Sequence, residues 1–502
     1  MKVLLLHSFL TVSQDDPTGI SPVLGLAYIA SYLEKNGVEV KIIDAAAEGI
    51  NNKIQIGNKI RFGLSEEEIK KRIKGFSPDI IGITCISTPH SSDAHEAARI
   101  VKEVDPHILV VMGGAHPSSN PWDVLKDKHV DIVVRGEGEI TFLEIIKKFE
   151  KGEKLDNILG TFIRKDNKII ENLPRPYIKN IDSLDFPARD LLPMEAYFEE
   201  DRKNSQYEMR DRVTSMITSR GCPGNCIYCS VKVIWGRLWR GRSPKNVVDE
   251  IESLIKNYKV NGISFLDDSI SVDASRLEKI CDEIIKRKLD IKWTTPNGIA
   301  IWLLDKKIID KMKKSGCYRL TFGLESGNKE ILNNFIGKYY DYQKARELIS
   351  HCSKIGLWTI GTFIIGFPYE TKNQIEDTIN YAISTDLDFA VFYIANPRKG
   401  TAMYEIYKKE GLLPKEGDTS IIRGTKTKNF SHEELISLQS EAFNRFLKSR
   451  LKKIWKIFSK IKSPEDLLYT LKLGKNYFNI LANSAAIKSK GIVSLWKQGG
   501  KN

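Results

Sequence analysis

The sequence predicts an α/β protein with two successive modules: an open doubly wound domain, then a partial (β/α)6 barrel that carries a helical extension. Three observations predict it. Residues 1–150 alternate continuous apolar runs with helix-spaced segments, and the same alternation returns from about Arg212 to about residue 420. Between them, Pro174, Pro176, Pro187 and Pro193 punctuate a stretch with little periodicity. Continuous apolar strands separated by helices indicate a parallel sheet covered on both faces. A length of 502 residues suits two to four domains.

Taken in order, Val3–His7 is a short apolar strand, and Leu24–Lys35 has helical spacing that Asn36-Gly37 stops. Val38–Ile43 follows as strand, Ser65–Gly75 as helix, and Ile80–Ile86 as a near-continuous apolar strand. Asp93–Val104 reads as helix, and Ile108–Met112 and Asp131–Val134 read as strands. Ligands of such a domain sit at the carboxyl ends of its strands. Residues 151–210 read as an ordered linker. In the second module the strands are Val213–Thr218, Gly262–Leu266, Ile291–Thr295, Tyr318–Phe322, Trp358–Ile365 and Phe389–Ile394. The helices between them are Asn246–Tyr258, Ala274–Lys286, Leu304–Lys314, Tyr342–Lys354 and Thr371–Ser384. This repeat over residues 211–420 places chemistry on loops at the strand carboxyl ends. Residues 421–502 show only helical patterning.

Composition excludes several classes. Hydrophobic residues are 41% and charged residues 28%, ordinary for a globular chain. No run approaches the ~20 apolar residues of a spanning helix, and the short apolar start lacks a cleavage site, so a cytoplasmic location is expected. Seven cysteines in this length argue against a disulfide framework. Charge is uneven: Arg445–Asn502 holds 14 Lys/Arg and two acids, a net +12 of the chain's +13.

Cys222, Cys226 and Cys229 fall within S-R-G-C-P-G-N-C-I-Y-C-S, directly after a predicted strand. Zinc sites and cubane clusters usually take four protein ligands, so three thiolates on a cubane leave one iron open to a small molecule. Other predicted strand ends read S-F-L-D-D-S with Asp267, F-G-L-E-S-G with Glu325 and Ser326, and G-T-F-I-I-G-F-P-Y-E with Gly366.

This C-x-x-x-C-x-x-C loop resembles that of the radical S-adenosylmethionine (SAM) superfamily. The resemblance implies a [4Fe-4S] cluster on the three cysteines and SAM chelating the open iron. It further implies SAM contacts from Tyr228, Asp267, Glu325, Ser326 and Gly366. In the first module Thr84-Cys85-Ile86 and Gly113-Gly114 resemble the S-x-L and G-G segments of a Rossmann-like cobalamin-binding domain. Segments Ser21–Leu33 and Val134–Thr141 also look like parts of cobalamin-binding radical SAM enzymes. Cobalamin held by Thr84, Gly113 and Gly114 is therefore expected. The D-x-H-x-x-G motif is absent, so His7, His90 and His116 are read as loop or cap residues and the lower face of cobalt as lacking a histidine.

The resemblance implies methylation of an unactivated carbon of a lipid or small molecule. One SAM methylates Co(I), a second yields the 5′-deoxyadenosyl radical, and the substrate radical captures methyl. Ring formation by the same radical initiation is the runner-up, and a non-catalytic cobalamin sensor is disfavoured by the cysteines. A methylthiotransferase needs a second cluster, for which Cys85 is the only cysteine in the first module. An external donor such as ferredoxin or flavodoxin is expected. Arg445–Lys462 reads as a basic amphipathic helix that docks on the barrel or touches an anionic membrane; nucleic acid is not an expected partner.

Overall fold

The computed structural model describes residues 1–13, 19–165, 168–204, 208–414 and 424–482. The chain divides into two compact units: Met1–Glu200 with Ser230–Gly236, and Asp201–Cys229 with Arg237–Asn502. Residues 483–502 of the expected helical extension lie outside the described residues.

The first unit is built on a seven-stranded sheet. Its strands are β1 (Lys2–His7), β2 (Glu39–Asp44), β3 (Ile80–Thr84), β4 (Leu109–Gly113), β5 (Ile132–Val134), β6 (Thr161–Lys165) and β7 (Lys168–Glu171). Their order is β7-β6-β5-β4-β3-β1-β2. The five strands β1 to β5 are parallel, while β6 and β7 add an antiparallel edge. The stretch read as linker thus supplies two strands, and its short runs T-F-I-R-K and K-I-I-E are too brief for periodicity to show. Every residue of β3 is buried, which explains its unbroken apolar sequence. Leu4, Leu6, Ile81, Ile83, Val110 and Met112 pack with Ala94, Ala97 and Val101 of a helix, Ser91–Val104, in one core. The strand order changes direction at β1, between β2 and β3, and so forms a crevice at their carboxyl ends.

The second unit carries six parallel strands in chain order: β8 (Val213–Met216), β9 (Gly262–Phe265), β10 (Lys292–Ile299), β11 (Cys317–Glu325), β12 (Trp358–Ile365) and β13 (Phe389–Ile394). A helix of nine residues or more follows each of the first five: α1 (Pro244–Tyr258), α2 (Ala274–Lys286), α3 (Lys306–Lys314), α4 (Tyr342–Lys354) and α5 (Lys372–Ser384). Ser243, Asp273, Asp305, Asp341 and Thr371 cap their N-termini by side-chain hydrogen bonds. Each such cap is worth about 1 kcal/mol and fixes where a strand-end loop stops and its helix begins.

The extension departs from the expected single helix. Helix α6 (His432–Leu451) ends within the basic stretch, and Ile454–Lys460 winds as a 3-10 helix before α7 (Pro464–Ala482). Much of its charge turns onto the barrel. The Arg450 guanidinium donates to the carbonyls of Ile383, Thr385 and Leu387, Lys453 and Lys456 pair with Asp386, and buried Lys460 reaches Asp388. Those partners need basic residues at irregular positions, which breaks the amphipathic period. Among the described residues no helix is long and apolar enough to cross a membrane.

Candidate cofactor sites

The cysteine loop leaves β8 and is anchored at once. Thr218 donates to Asp267 from its amide at 3.1 Å and from its hydroxyl at 2.7 Å, and the Ser219 hydroxyl adds a further bond. Asp267 is buried and accepts all of these bonds, which anchor the loop. Its neighbour Asp268 is the freer carboxylate. Burial, reinforced by Asp267, pushes the Asp268 carboxyl up to about 6, although the Gly221 amide donates to it.

Farther along, the Ile227 amide donates to the Ile336 carbonyl at 3.1 Å, and Met403 donates to the Ile227 carbonyl at 3.1 Å. Ile336 ends a π-helical turn, Glu330–Ile336, that follows the E-S-G segment of β11. These bonds hold Cys226 and Cys229 in a loop spanned on two sides. A Cβ on Gly224 would lie 3.3 Å from the Cys222 sulfur and 4.0 Å from that of Cys226. The glycine therefore keeps open the space between the sulfurs that a cluster would fill. Among the described residues no three His, Cys, Asp or Glu converge as the ligands of one metal ion. Burial pushes the Cys222 and Cys226 thiols up, and Lys338 opposes the shift in both.

Lys338 is the residue that sequence reasoning missed. It lies just past the π-helical turn, and its ammonium is 2.7 Å from Glu325 Oε1 and 3.0 Å from the Gly323 carbonyl. Burial works against its charge, but Glu325, Cys226 and Cys222 together hold its pKa above the usual lysine value. Glu325 itself sits at φ 64°, a left-handed conformation that costs a non-glycine residue about 1 kcal/mol or more. A Cβ on Gly323 would come 2.8 Å from Glu325 Oε1, so only glycine leaves room for the pair. The Tyr228 hydroxyl hydrogen-bonds Glu325 as well, and burial followed by that carboxylate raises the phenol's pKa. Cysteines, Tyr228, Glu325 and Lys338 thus form one charged cluster at the end of β11. SAM presents an ammonium, a carboxylate and a ribose diol; a carboxylate paired with an ammonium suits both charges of its amino-acid end.

Ser326 and Gly366 each have partners within the fold. Ser326 is buried, with its hydroxyl 3.0 Å from that of Thr378. Gly366, at φ 80°, donates to Glu370 Oε2 at 2.6 Å and accepts from the Tyr407 hydroxyl at 3.1 Å. Glu370 is wholly buried, and its second oxygen has no partner. Burial raises its carboxyl to about 8, against two amide hydrogen bonds from Gly366 and Phe367 that lower it. The fold therefore binds a proton here that the unfolded chain, at the ordinary value of 4.5, has lost. This stabilisation is complete below about pH 4.5 and disappears as pH rises through about 8. Glu370→Gln is expected to flatten the fall in melting temperature between pH 6 and 9; an unchanged slope would assign that fall to other groups.

In the first unit a cavity of about 160 Å³ opens at the strand carboxyl ends, lined by His7, Asp44, Thr84, Cys85, Ile86 and His90 among others. Its site is the crevice where the strand order reverses. Ile86 is 55% exposed at its rim, an apolar surface fit for a large flat ligand, and His90 Nδ1 is buried without a hydrogen bond. Thr84 lines the cavity. Gly114, at φ 108°, brings a short helix against β3, where a Cβ would lie 2.6 Å from the Cys85 carbonyl oxygen. A Cβ on Gly113 meets nothing nearer than 4.0 Å. The two glycines therefore separate. Gly114→Ala is expected to cost at least ~1–3 kcal/mol in strain and lower the melting temperature. Gly113→Val should melt like wild type yet fail to retain cobalamin, as read by absorbance after desalting; normal retention would remove Gly113 from the binding surface. His116 lies on the short helix and contacts Thr88 and Asn120, a local packing role.

Two domain families match this chain: the B12 binding domain over residues 15–146 and the radical SAM superfamily over residues 216–382. The chain belongs to the cobalamin-dependent radical SAM methyltransferase family. An uncharacterised methyltransferase of Pyrococcus horikoshii is 37% identical over 431 residues, covering 85% of this chain and 87% of the relative. The cytidylyl-2-hydroxyethylphosphonate methyltransferase of Streptomyces wedmorensis is 31% identical, covering 83% of each. In fold the chain is similar to the radical SAM methyltransferase TsrM of Kitasatospora setae, solved with cobalamin and a [4Fe-4S] cluster. The TM-score is 0.65 at 18% identity, over 83% of this chain and 76% of that one. The protein is an enzyme whose cofactors are cobalamin, SAM and one [4Fe-4S] cluster.

Proposed function

We propose that this enzyme methylates an unactivated carbon, with Cys222, Cys226 and Cys229 holding the cluster and the Glu325–Lys338 pair receiving the amino-acid end of SAM. The observation that carries this reading is the convergence of Tyr228, Glu325 and half-buried Lys338 on the cysteine loop, which supplies charges of both signs beside the sulfurs. Cluster and SAM supply the radical that removes a substrate hydrogen, and cobalamin supplies the methyl group. The residues do the rest. Asp267 anchors the loop, Tyr228 and Lys338 orient Glu325, and Glu370 with Tyr407 pins the turn at Gly366. Thr84 and Ile86 border the cavity of the first unit that would take cobalamin, and Gly113 pairs with Thr84 on the neighbouring strand.

The test is product analysis with the reconstituted holoenzyme, a low-potential donor of ferredoxin or flavodoxin type, and labelled SAM. Methylation yields a labelled methyl group in the product and S-adenosylhomocysteine. Ring formation would yield 5′-deoxyadenosine with loss of hydrogen and no label.

We also propose peripheral membrane contact through the extension. Trp455 is 63% exposed and Phe458 73%, and Leu451, Leu468 and Leu471 are exposed beside Lys448, Lys452 and Lys462. Aromatic groups suit the headgroup boundary, and each basic residue near an anionic surface adds ~1 kcal/mol. Full-length protein should float with anionic liposomes and be released by high salt. Trp455→Ser with Phe458→Ser should abolish flotation; a variant that still floats would assign the patch to another role.

A further inference from the structure

The chain crosses from one compact unit to the other directly behind the third cysteine. Ser230–Gly236 belongs to the first unit, while Cys229 before it and Arg237 after it belong to the second. Both ends of this short strap are tied to the cysteine loop. At the front, Ser230 follows Cys229, whose amide donates to the Cys226 carbonyl at 3.0 Å. At the rear, the Arg237 guanidinium donates to the Pro223 carbonyl at 3.1 Å, between Cys222 and Cys226. The middle of the strap rests at the carboxyl ends of β4 and β5. Its short helix, Val231–Ile234, packs against the helix Ala115–Ser119 that follows Gly113 and Gly114. On that helix the Ser118 hydroxyl accepts from the Gly136 amide at 3.0 Å, just beyond β5. Gly136, at φ 77°, approaches so closely that a Cβ there would lie 3.2 Å from the Ile234 carbonyl oxygen. Gly236, at φ 69°, closes the strap on the Tyr177 ring, where a Cβ would come within 2.6 Å. The Ile178 amide donates to buried Glu137 at 2.7 Å, which keeps Tyr177 in that place.

We propose that Ser230–Gly236 is a coupling strap, through which cobalamin bound at the strand ends of the first unit orders the cysteine loop. The strap has little stability of its own. Its helix is four residues long and none of them is buried, far below the length at which a helix holds in isolation. Segments of this kind open locally and take their order from what they touch. The footing of the strap is the backbone at Gly114, Ser118 and Gly136, and ligands of a doubly wound domain meet the backbone at such strand ends. A ligand that fixes this footing fixes the strap, and the two ends of the strap then fix Cys229 and the turn at Pro223. A connection that served only to join β8 to α1 would need neither the two left-handed glycines nor the guanidinium clasp on Pro223. Coupling of this kind is reciprocal, so a cluster on the cysteines tightens cobalamin by the same factor.

The inference rests on cobalamin binding, and hydrogen exchange of the full-length, iron-free protein separates the two. Hydroxocobalamin is added, and amide exchange is followed by mass spectrometry over residues 80–90, 109–119, 222–229 and 230–236. The expected result is slower exchange in all four, with 222–229 slowed by about fivefold or more, the lower end of ordinary coupling between sites. Slowing at 80–90 and 109–119 alone, or at the strap but not at 222–229, overturns the proposal. No slowing anywhere refutes cobalamin binding itself. Because this arm uses the wild-type chain, folding of a variant does not enter. Gly236→Ala, which drives a methyl group into the Tyr177 ring, should keep the slowing at 80–90 and 109–119 and lose it at 222–229. If that variant still slows 222–229, the cysteine loop is ordered by another route and the strap has no such role.

Discussion

Replacing any one of Cys222, Cys226 and Cys229 with alanine is expected to reduce 5′-deoxyadenosine formation to the level of iron-free protein. Reconstituted wild type should hold about four irons per chain, and each variant should lose most of them. The loop is anchored by Asp267 and by the Ile227–Ile336 bond, so the variants should keep their fold and melt close to the apo wild type. Iron content with SAM cleavage, measured together, decides the assignment. A variant that still cleaves SAM would exclude its sulfur from the cluster.

Lys338→Met should have the largest effect on stability outside the hydrophobic core. It strands the Glu325 carboxylate, of which only 8% is exposed, in a site built for an ion pair. Removing one partner of a buried pair costs about 3–5 kcal/mol, because the remaining charge stays unsolvated. Thermal melting of the apo protein reads this directly. The double variant Lys338→Met with Glu325→Leu removes both charges and should recover much of the loss, although it cannot bind SAM. A single variant that melts like wild type would show that the two groups are solvated apart in solution.

Sequence patterning made most of the architecture legible because burial in this fold is periodic and local. Trp358–Ile365 and Phe389–Ile394 are the strands that their apolar runs predict, and each barrel helix follows its capping residue. The cysteine loop stood out too, since three cysteines fall within eight residues. What escaped was joined across distance. Lys338 reaches Glu325 from 13 residues away, and Tyr197 reaches Asp44 from 153. No local pattern marks such partners. Asp267 and Asp268 illustrate the converse: adjacent and chemically identical, they differ only because the loop that folds back onto them uses up one carboxylate. The basic tail misled for a related reason, as Arg450 and Lys460 look like a solvated face until the carbonyls and carboxylates that they meet are seen.

The π-helical turn Glu330–Ile336 gives this stretch an unusual sensitivity to length. An α-turn closes four residues back and a π-turn five, so this segment stores one more residue per turn than its neighbours. Most surface connections absorb a one-residue deletion by shortening. Here the same deletion lets the backbone rewind into an ordinary helix, rotating everything after Ile336 by about a quarter-turn or more. Lys338 would then leave Glu325, and the Ile336 carbonyl would leave Ile227, so one missing codon would disconnect the ammonium and the cysteine loop together. Drift in gene length through this segment is therefore equivalent to a double loss in the catalytic centre, although no residue named in either role has been replaced.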